Sequence, residues 1–216
     1  MHENLRRLYL SVQPSFKKLI EDYPNAILNG PLLMSPNTLY ERQKYKLLVV
    51  GREADGWDRE VNHLDKQMDT YRRFNVGQYH DPSPFWTLTR KVESSLGNEL
   101  YSCAWTTISK FDGNVSGRPN DHEKAVKAFD QLLFKEVDII NPEICLFFTG
   151  PAFDDRIAEI FKGVKFNEVG IWRLRQFCRL SHPSLPAHSY RIYHPNYLTR
   201  SGLECDFMEF IDSITR

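Results

Sequence analysis

Apolar and polar positions along the chain alternate between two periods. In residues 3–22, Leu5, Leu8, Tyr9, Val12, Phe16, Leu19 and Ile20 recur at helical spacing and Pro24 closes the run, which predicts a helix. Residues 45–50 then form a nearly continuous apolar run ended by Gly51, the pattern of a strand covered on both faces. Similar runs at 101–111 (YSCAWTTISKF), 143–150 (EICLFFTG) and 190–193 (YRIY) predict three more strands. Helices fall between them. Ser83 caps one that begins with Pro84, runs to about Leu96 and stops at Gly97. Asp121 starts another that reaches Ile140, with Ala125, Phe129, Leu132, Leu133 and Val137 on its inner face. DDRIAEIFKG is a third, and residues 202–214, with Leu203, Phe207, Phe210, Ile211 and Ile214, close the chain.

Three stretches break this rhythm. Residues 25–40 read as a covering loop, 112–120 as a glycine- and proline-bearing loop, and 164–180 as one or two strands or an irregular hairpin. Residues 58–84 form a long polar insertion, part helix (REVNHLDKQMDTYRRF) and part loop; long loops inside compact domains often carry function. Strands alternating with helices predict a short parallel sheet covered on both faces, a three-layer α/β/α sandwich. Residues 1–216 are expected to form a single domain, with 1–44 as an N-terminal helix and covering loop and 45–216 as the α/β core. Ligands of such sheets bind outside the carboxyl ends of the strands. Three polar strand ends meet there: Gly51–Trp57, Thr107–Asp112 and His194–Arg200.

Composition narrows the function classes. At 216 residues and 41% hydrophobic, the chain can bury a sizeable core. Lys and Arg number 28, as do Asp and Glu, so the whole chain is no electrostatic magnet for nucleic acid or anionic membranes, although a local basic patch stays open. Cys103, Cys145, Cys178 and Cys205 are far apart with no C-x-x-C pair, which argues against a metal cluster or disulfide framework and for a reducing, cytoplasmic setting. The N-terminus has no apolar signal core and no run reaches membrane-spanning length, so a soluble protein without membrane contact is expected. His182, His188 and His194 are spaced by six, which suits neither a helix face nor a turn and so argues against zinc. G-x-S-x-G is absent, and the glycines form no phosphate-binding fingerprint.

Two stretches carry candidate chemistry. In GREADGW, Gly51 permits a tight turn, and Glu53 and Asp55 stand on a short loop where a carboxylate can orient a water or stabilise a cation; the plainer alternative is a solvated, charge-rich turn. In YHPNYLTR, His194 follows a strand, and its neutral imidazole can donate to a developing oxyanion. Asn196 can donate to a phosphate or cap a helix, an exposed Leu198 can wedge into a base stack, and Arg200 can pair with a phosphate. The plainer alternative is a proline turn whose Tyr197 and Leu198 pack under the last helix.

Strand-Gly-x-acid early and strand-His-Pro-x-x-Leu near the end together resemble the uracil-DNA glycosylase superfamily. The resemblance implies a mainly four-stranded parallel sheet between helices and an enzyme that hydrolyses the bond between a damaged base and DNA, with no metal or organic cofactor. Gly51 matches the family glycine and Glu53 the residue that positions water, with Asp55 on the same loop; His194 matches the histidine that supports the leaving base. Pro195 matches the proline of that motif, and Leu198 the residue that replaces the flipped base; Asn196 and Arg200 flank it on the DNA side. AWTTISK resembles the segment that reads the base, with Thr107 where the family has asparagine, which implies a changed base preference. The stretch from Gly77 to Val92 resembles the one that brings an aromatic to the base; Phe74, Tyr79 and Phe85 are the candidates, with Phe85 preferred. SHPSL at 181–185 is a second match to the histidine motif, in which His182, Ser184 and Leu185 take over these roles. DNA is the expected partner, and a monomer the expected state. A catalytically silent DNA- or protein-binding member of the same fold, or a small-molecule hydrolase on that scaffold, are the alternatives.

Overall fold

The structure is a computed structural model that describes residues 1–53, 56–80, 82–113 and 121–214. Eight strands occur among these residues: β1 (Leu28–Asn29), β2 (Leu47–Gly51), β3 (Ala104–Thr107), β4 (Asp112–Gly113), β5 (Ile144–Phe147), β6 (Lys165–Glu168), β7 (Phe177–Ser181) and β8 (His188–Ile192). The helices are α1 (His2–Asp22), α2 (Leu64–Phe74), α3 (Pro84–Ser95), α4 (Asp121–Lys127), α5 (Gln131–Ile140), α6 (Asp154–Ile160), α7 (Pro195–Arg200) and α8 (Glu204–Ile214).

Six strands form one mixed sheet in the order β3-β2-β5-β8-β7-β6, and β1 pairs separately with β4. β3, β2, β5 and β8 are parallel, whereas β7 runs antiparallel to β8 and β6 antiparallel to β7. The four-stranded parallel sheet expected from the sequence is therefore a six-stranded mixed one. The difference arises in 164–180, where β6 is mostly exposed and β7 alternates between buried and exposed positions. β2, β3 and β5 are instead buried at every position, because helices cover both sheet faces.

Side-chain alternation along the strands assigns the helices to faces. Adjacent residues on a strand point to opposite sides. Phe147 meets Phe161 just past α6, while Phe148 meets Phe85 of α3 and Phe207 of α8. Trp105 stacks on Tyr71 of α2, while its neighbour Thr106 bonds Glu136 of α5. Thus α2, α3 and α8 lie on one face and α5 and α6 on the other. Each buried aromatic of this kind contributes roughly 1.5–3 kcal/mol.

Polar anchors fix these layers. β3 is an edge strand, and the Tyr71 hydroxyl bonds both the N–H and the C=O of Trp105, at 2.8 and 2.9 Å, so that edge is closed to further pairing. On the opposite face, buried Glu136 accepts from Tyr9 of α1, from Thr106 and from the Lys110 ammonium, at 2.8, 2.8 and 2.6 Å. Burial pulls the Lys110 pKa down and pushes that of Tyr9 up. The carboxylate of buried Glu93 on α3 accepts three backbone N–H groups at the start of β3, from Tyr101, Ser102 and Cys103. Ser83 caps α3 through Trp86 N. The helix expected from Asp121 to Ile140 breaks into α4 and α5 across residues 128–130, and the Asp130 carboxylate accepts from Nε and Nη2 of Arg156 at 2.7 and 2.6 Å. No described helix is long and apolar enough to cross a membrane.

Candidate functional site

The strand order places β2 between β3 and β5, so the chain winds one way from β2 to β3 and the other way to reach β5. The carboxyl ends of β2 and β5 therefore flank the crevice where open α/β sheets bind ligands. Gly51 ends β2. The loop after β3 extends the ladder, with Ile108 N donating to Gly51 O at 3.0 Å and Ser109 N to Arg52 O at 2.9 Å. Glu53 is the next residue, and it is exposed. Asp55 lies outside the described residues.

Arg52 crosses the end of β5. Its Nε donates to Thr149 O at 2.9 Å and its guanidinium lies 5.7 Å from the centre of the Phe153 ring. Gly150 lies beneath this crossing. Its φ of +70° lies in the left-handed region, and a Cβ there would stand 3.4 Å from Arg52 Nη2 and 3.5 Å from Tyr193 Cδ1. Gly150 N also donates to Ile192 O at 2.9 Å, which ties the end of β5 to that of β8. Gly51 and the end of β8 are thus two strand spacings apart, about 10 Å.

His194 caps α7. Its Nδ1 accepts the Asn196 backbone N–H at 3.3 Å, and an amide can only donate. The neutral ring therefore carries its proton on Nε2. Burial, and secondarily the Arg52 charge, hold the His194 pKa below the usual imidazole range, so the neutral form persists at pH 7. The Phe85 ring lies 6.0 Å from His194 and meets Phe148 edge-on at 5.6 Å. Of the three aromatic candidates, Phe85 is the one packed beside the histidine. Phe74 sits deeper, against Trp57, Trp86 and Trp105, and Tyr79 is exposed. Thr107 pairs in register with Gly51; it is buried, and its hydroxyl proton goes to Ser109 O at 2.7 Å.

His182 is at the wrong end. The β7–β8 connection precedes β8, at the sheet edge opposite Gly51, and the His182 ring packs on Phe161 at 5.6 Å while its Nδ1 accepts Ser184 N. Ser184 and Leu185 share that location.

Leu198 corrects the sequence reading most directly. It was expected to be exposed, and it is fully buried. Residues 195–200 form a short helix with Pro195 at its first position rather than a bare turn. Pro195 and Leu198, three apart, share its buried face, and α7 packs against α3 and α8. Tyr197 points outward instead, 52% exposed, and Asn196 and Arg200 are exposed with it. The plainer alternative, in which both Tyr197 and Leu198 pack inward, holds only for Leu198.

Arg52 and Tyr193 were not singled out from the sequence, and Tyr197 was named only as a residue that packs inward. Arg52 sits between the two named residues of its motif. Tyr193 precedes the cap residue His194 and Tyr197 lies on α7, so no periodic pattern of the sequence pairs them. Among the described residues, no three His, Cys, Asp or Glu come together as a possible metal site. No known protein-family model matches the chain, and no curated protein is significantly similar to it.

Proposed function

We propose that the protein is a DNA glycosylase-like hydrolase, which takes a uracil-like base out of DNA into the crevice at the ends of β2, β5 and β8 and cleaves its N-glycosidic bond. The observation that carries this reading is His194. A neutral imidazole with Nδ1 occupied and its proton on Nε2 is the form suited to a leaving base. As the C1′–N bond breaks, its electron pair moves onto the base, and negative charge grows on a carbonyl oxygen that Nε2–H can stabilise. Glu53, on the tip beyond Gly51, steadies the cationic sugar and orients the water. Water oxygen bonds C1′, and its released proton balances the charge on the departing base. Phe85 provides an apolar wall next to His194, against which a flipped base can lie.

Thr107 favours a second reading. Threonine carries no amide, and its hydroxyl proton goes to Ser109 O, so the paired donor and acceptor that would read a base edge are missing at that position. A silent nucleic-acid-binding protein of the same fold fits that feature. A cleavage assay separates the two readings. The protein meets labelled oligonucleotides carrying uracil, hypoxanthine or xanthine, followed by alkali. Strand breaks that disappear in Glu53→Gln and His194→Ala are the expected result. Binding without breaks on any of these bases would remove the enzyme reading.

A further inference from the structure

We infer that Tyr193 and Tyr197, bracketed by Arg52 and Arg200, form a stacking platform for the bases of single-stranded nucleic acid at the lip of the crevice. The inference rests on the nucleic-acid reading above and adds the strandedness of the substrate.

Four features of the lip carry it. The two tyrosine rings lie 4.3 Å apart between centroids, at 46° to one another, with Tyr193 half-buried and Tyr197 52% exposed. A supported ring loses little freedom when a base stacks on it. The platform flanks His194 on both sides in sequence, so a strand lying on it has a nucleotide within reach of the crevice. Both ends are basic. Arg52 and Tyr193 converge on Gly150, 3.4 and 3.5 Å from the place of its missing Cβ. Arg200 follows Tyr197 by three residues, on the same outward face of α7. Glu204, which follows it, is engaged by Lys91 and the Thr199 hydroxyl.

Leu198 decides for single strands over duplex. Opening a duplex leaves a gap that an apolar wedge must fill. The leucine placed to do so is fully buried on the inner face of α7. A duplex also keeps its base faces covered by their neighbours, so an exposed tyrosine face has nothing to stack on. In a single strand every base presents a π-face. The net charge of zero fits this mode, since affinity then comes from stacking and a few local phosphate contacts rather than from a long-range field.

Fluorescence anisotropy with an undamaged, mixed-sequence oligonucleotide tests the inference, using the full chain and the same sequence offered as single strand and as duplex. Single-strand binding at least roughly tenfold tighter than duplex binding is expected, with Tyr197→Ala losing roughly tenfold and Tyr197→Phe keeping the affinity. Two phosphate contacts would give a shallow salt slope, about −1.4 on a log–log plot. Tyr197 is exposed, so an unchanged melting temperature shows that each variant is folded. Equal or tighter duplex binding, no binding to either form, or an indifferent Tyr197→Ala overturns the platform. Strand breaks at a damaged base without these effects would sink the platform and leave the glycosylase reading. Tyr197-dependent binding without breaks at any base would do the reverse.

Discussion

Truncating Leu198 to alanine distinguishes a packing residue from a DNA wedge. A wedge is exposed in the free protein, so its removal weakens DNA binding and leaves stability alone. Leu198 is instead fully buried and shares the inner face of α7 with Pro195, where that helix meets α3 and α8. Buried leucine-to-alanine changes cost about 2–5 kcal/mol, the spread reflecting how far the surroundings settle into the cavity. α7 has six residues and lies in an outer layer, so it can settle in part; about 3 kcal/mol is expected. In a chain of 216 residues each kcal/mol lowers Tm by roughly 2–4 °C, which gives a fall of about 6–12 °C. Calorimetry measures the fall directly, and urea unfolding at unchanged m-value checks it. Tyr197→Ala is the control: at an exposed position it stays within about 0.5 kcal/mol of the parent. A Leu198→Ala protein that melts with the parent but loses DNA binding would refute the reasoning and restore the wedge.

The other predictions concern the supports of the crevice. Glu136→Ala strands the Lys110 ammonium in the core without its counter-charge and is expected to cost about 3–5 kcal/mol in urea unfolding, most of it recovered by adding Lys110→Met; no recovery would mean that the cost lies in lost packing. Gly77→Ala places a Cβ 2.7 Å from the Trp86 ring at a φ of +83°, and a loss of about 1–3 kcal/mol with altered near-UV circular dichroism is expected, whereas an unchanged spectrum would show that the loop gives way freely. The His194 pKa is depressed in the folded chain, so on acidification the unfolded chain takes up its proton first, near pH 6.5. Stability present above that pH is therefore lost as pH falls toward the lower folded value. His194→Gln should flatten this part of the stability profile between about pH 7 and 5, and parallel profiles for parent and variant would contradict it.

Two sets of elements were legible in the chain, for separate reasons. β2 and β5 stand out because burial on both faces demands an unbroken apolar run, as in YKLLVV and EICLFF. α3 is marked by local chemistry alone, Ser83 as cap and Pro84 as first residue. A strand end followed by glycine or by His-Pro marks a loop in the same way, although SHPSL at 181–185 carries the same letters at the other end of the sheet. β6 and β7 were ambiguous because an edge hairpin buries only part of its surface and so shows neither a continuous apolar run nor a full alternation. The Asp130–Arg156 pair beside the break between α4 and α5 joins residues twenty-six apart, which no local pattern announces.

The orientation of the lip belongs wholly to the tertiary structure. Tyr197 and Leu198 are neighbours, and either can face water, because the letters HPNYLTR suit a turn or a helix started by Pro195. Only the packing of α7 against α3 and α8 sets the helical phase that buries Leu198 and turns Tyr197 out. Arg52 likewise reaches Thr149 O because β2 and β5 are neighbours in the sheet, a contact across ninety-seven residues of chain. The sequence by itself determined the doubly covered strands β2 and β5 and the capped helix α3, since periodicity and capping are local properties. Which side chains line the crevice was decided by strand order and helix phase, since both arise from burying apolar surface between distant segments.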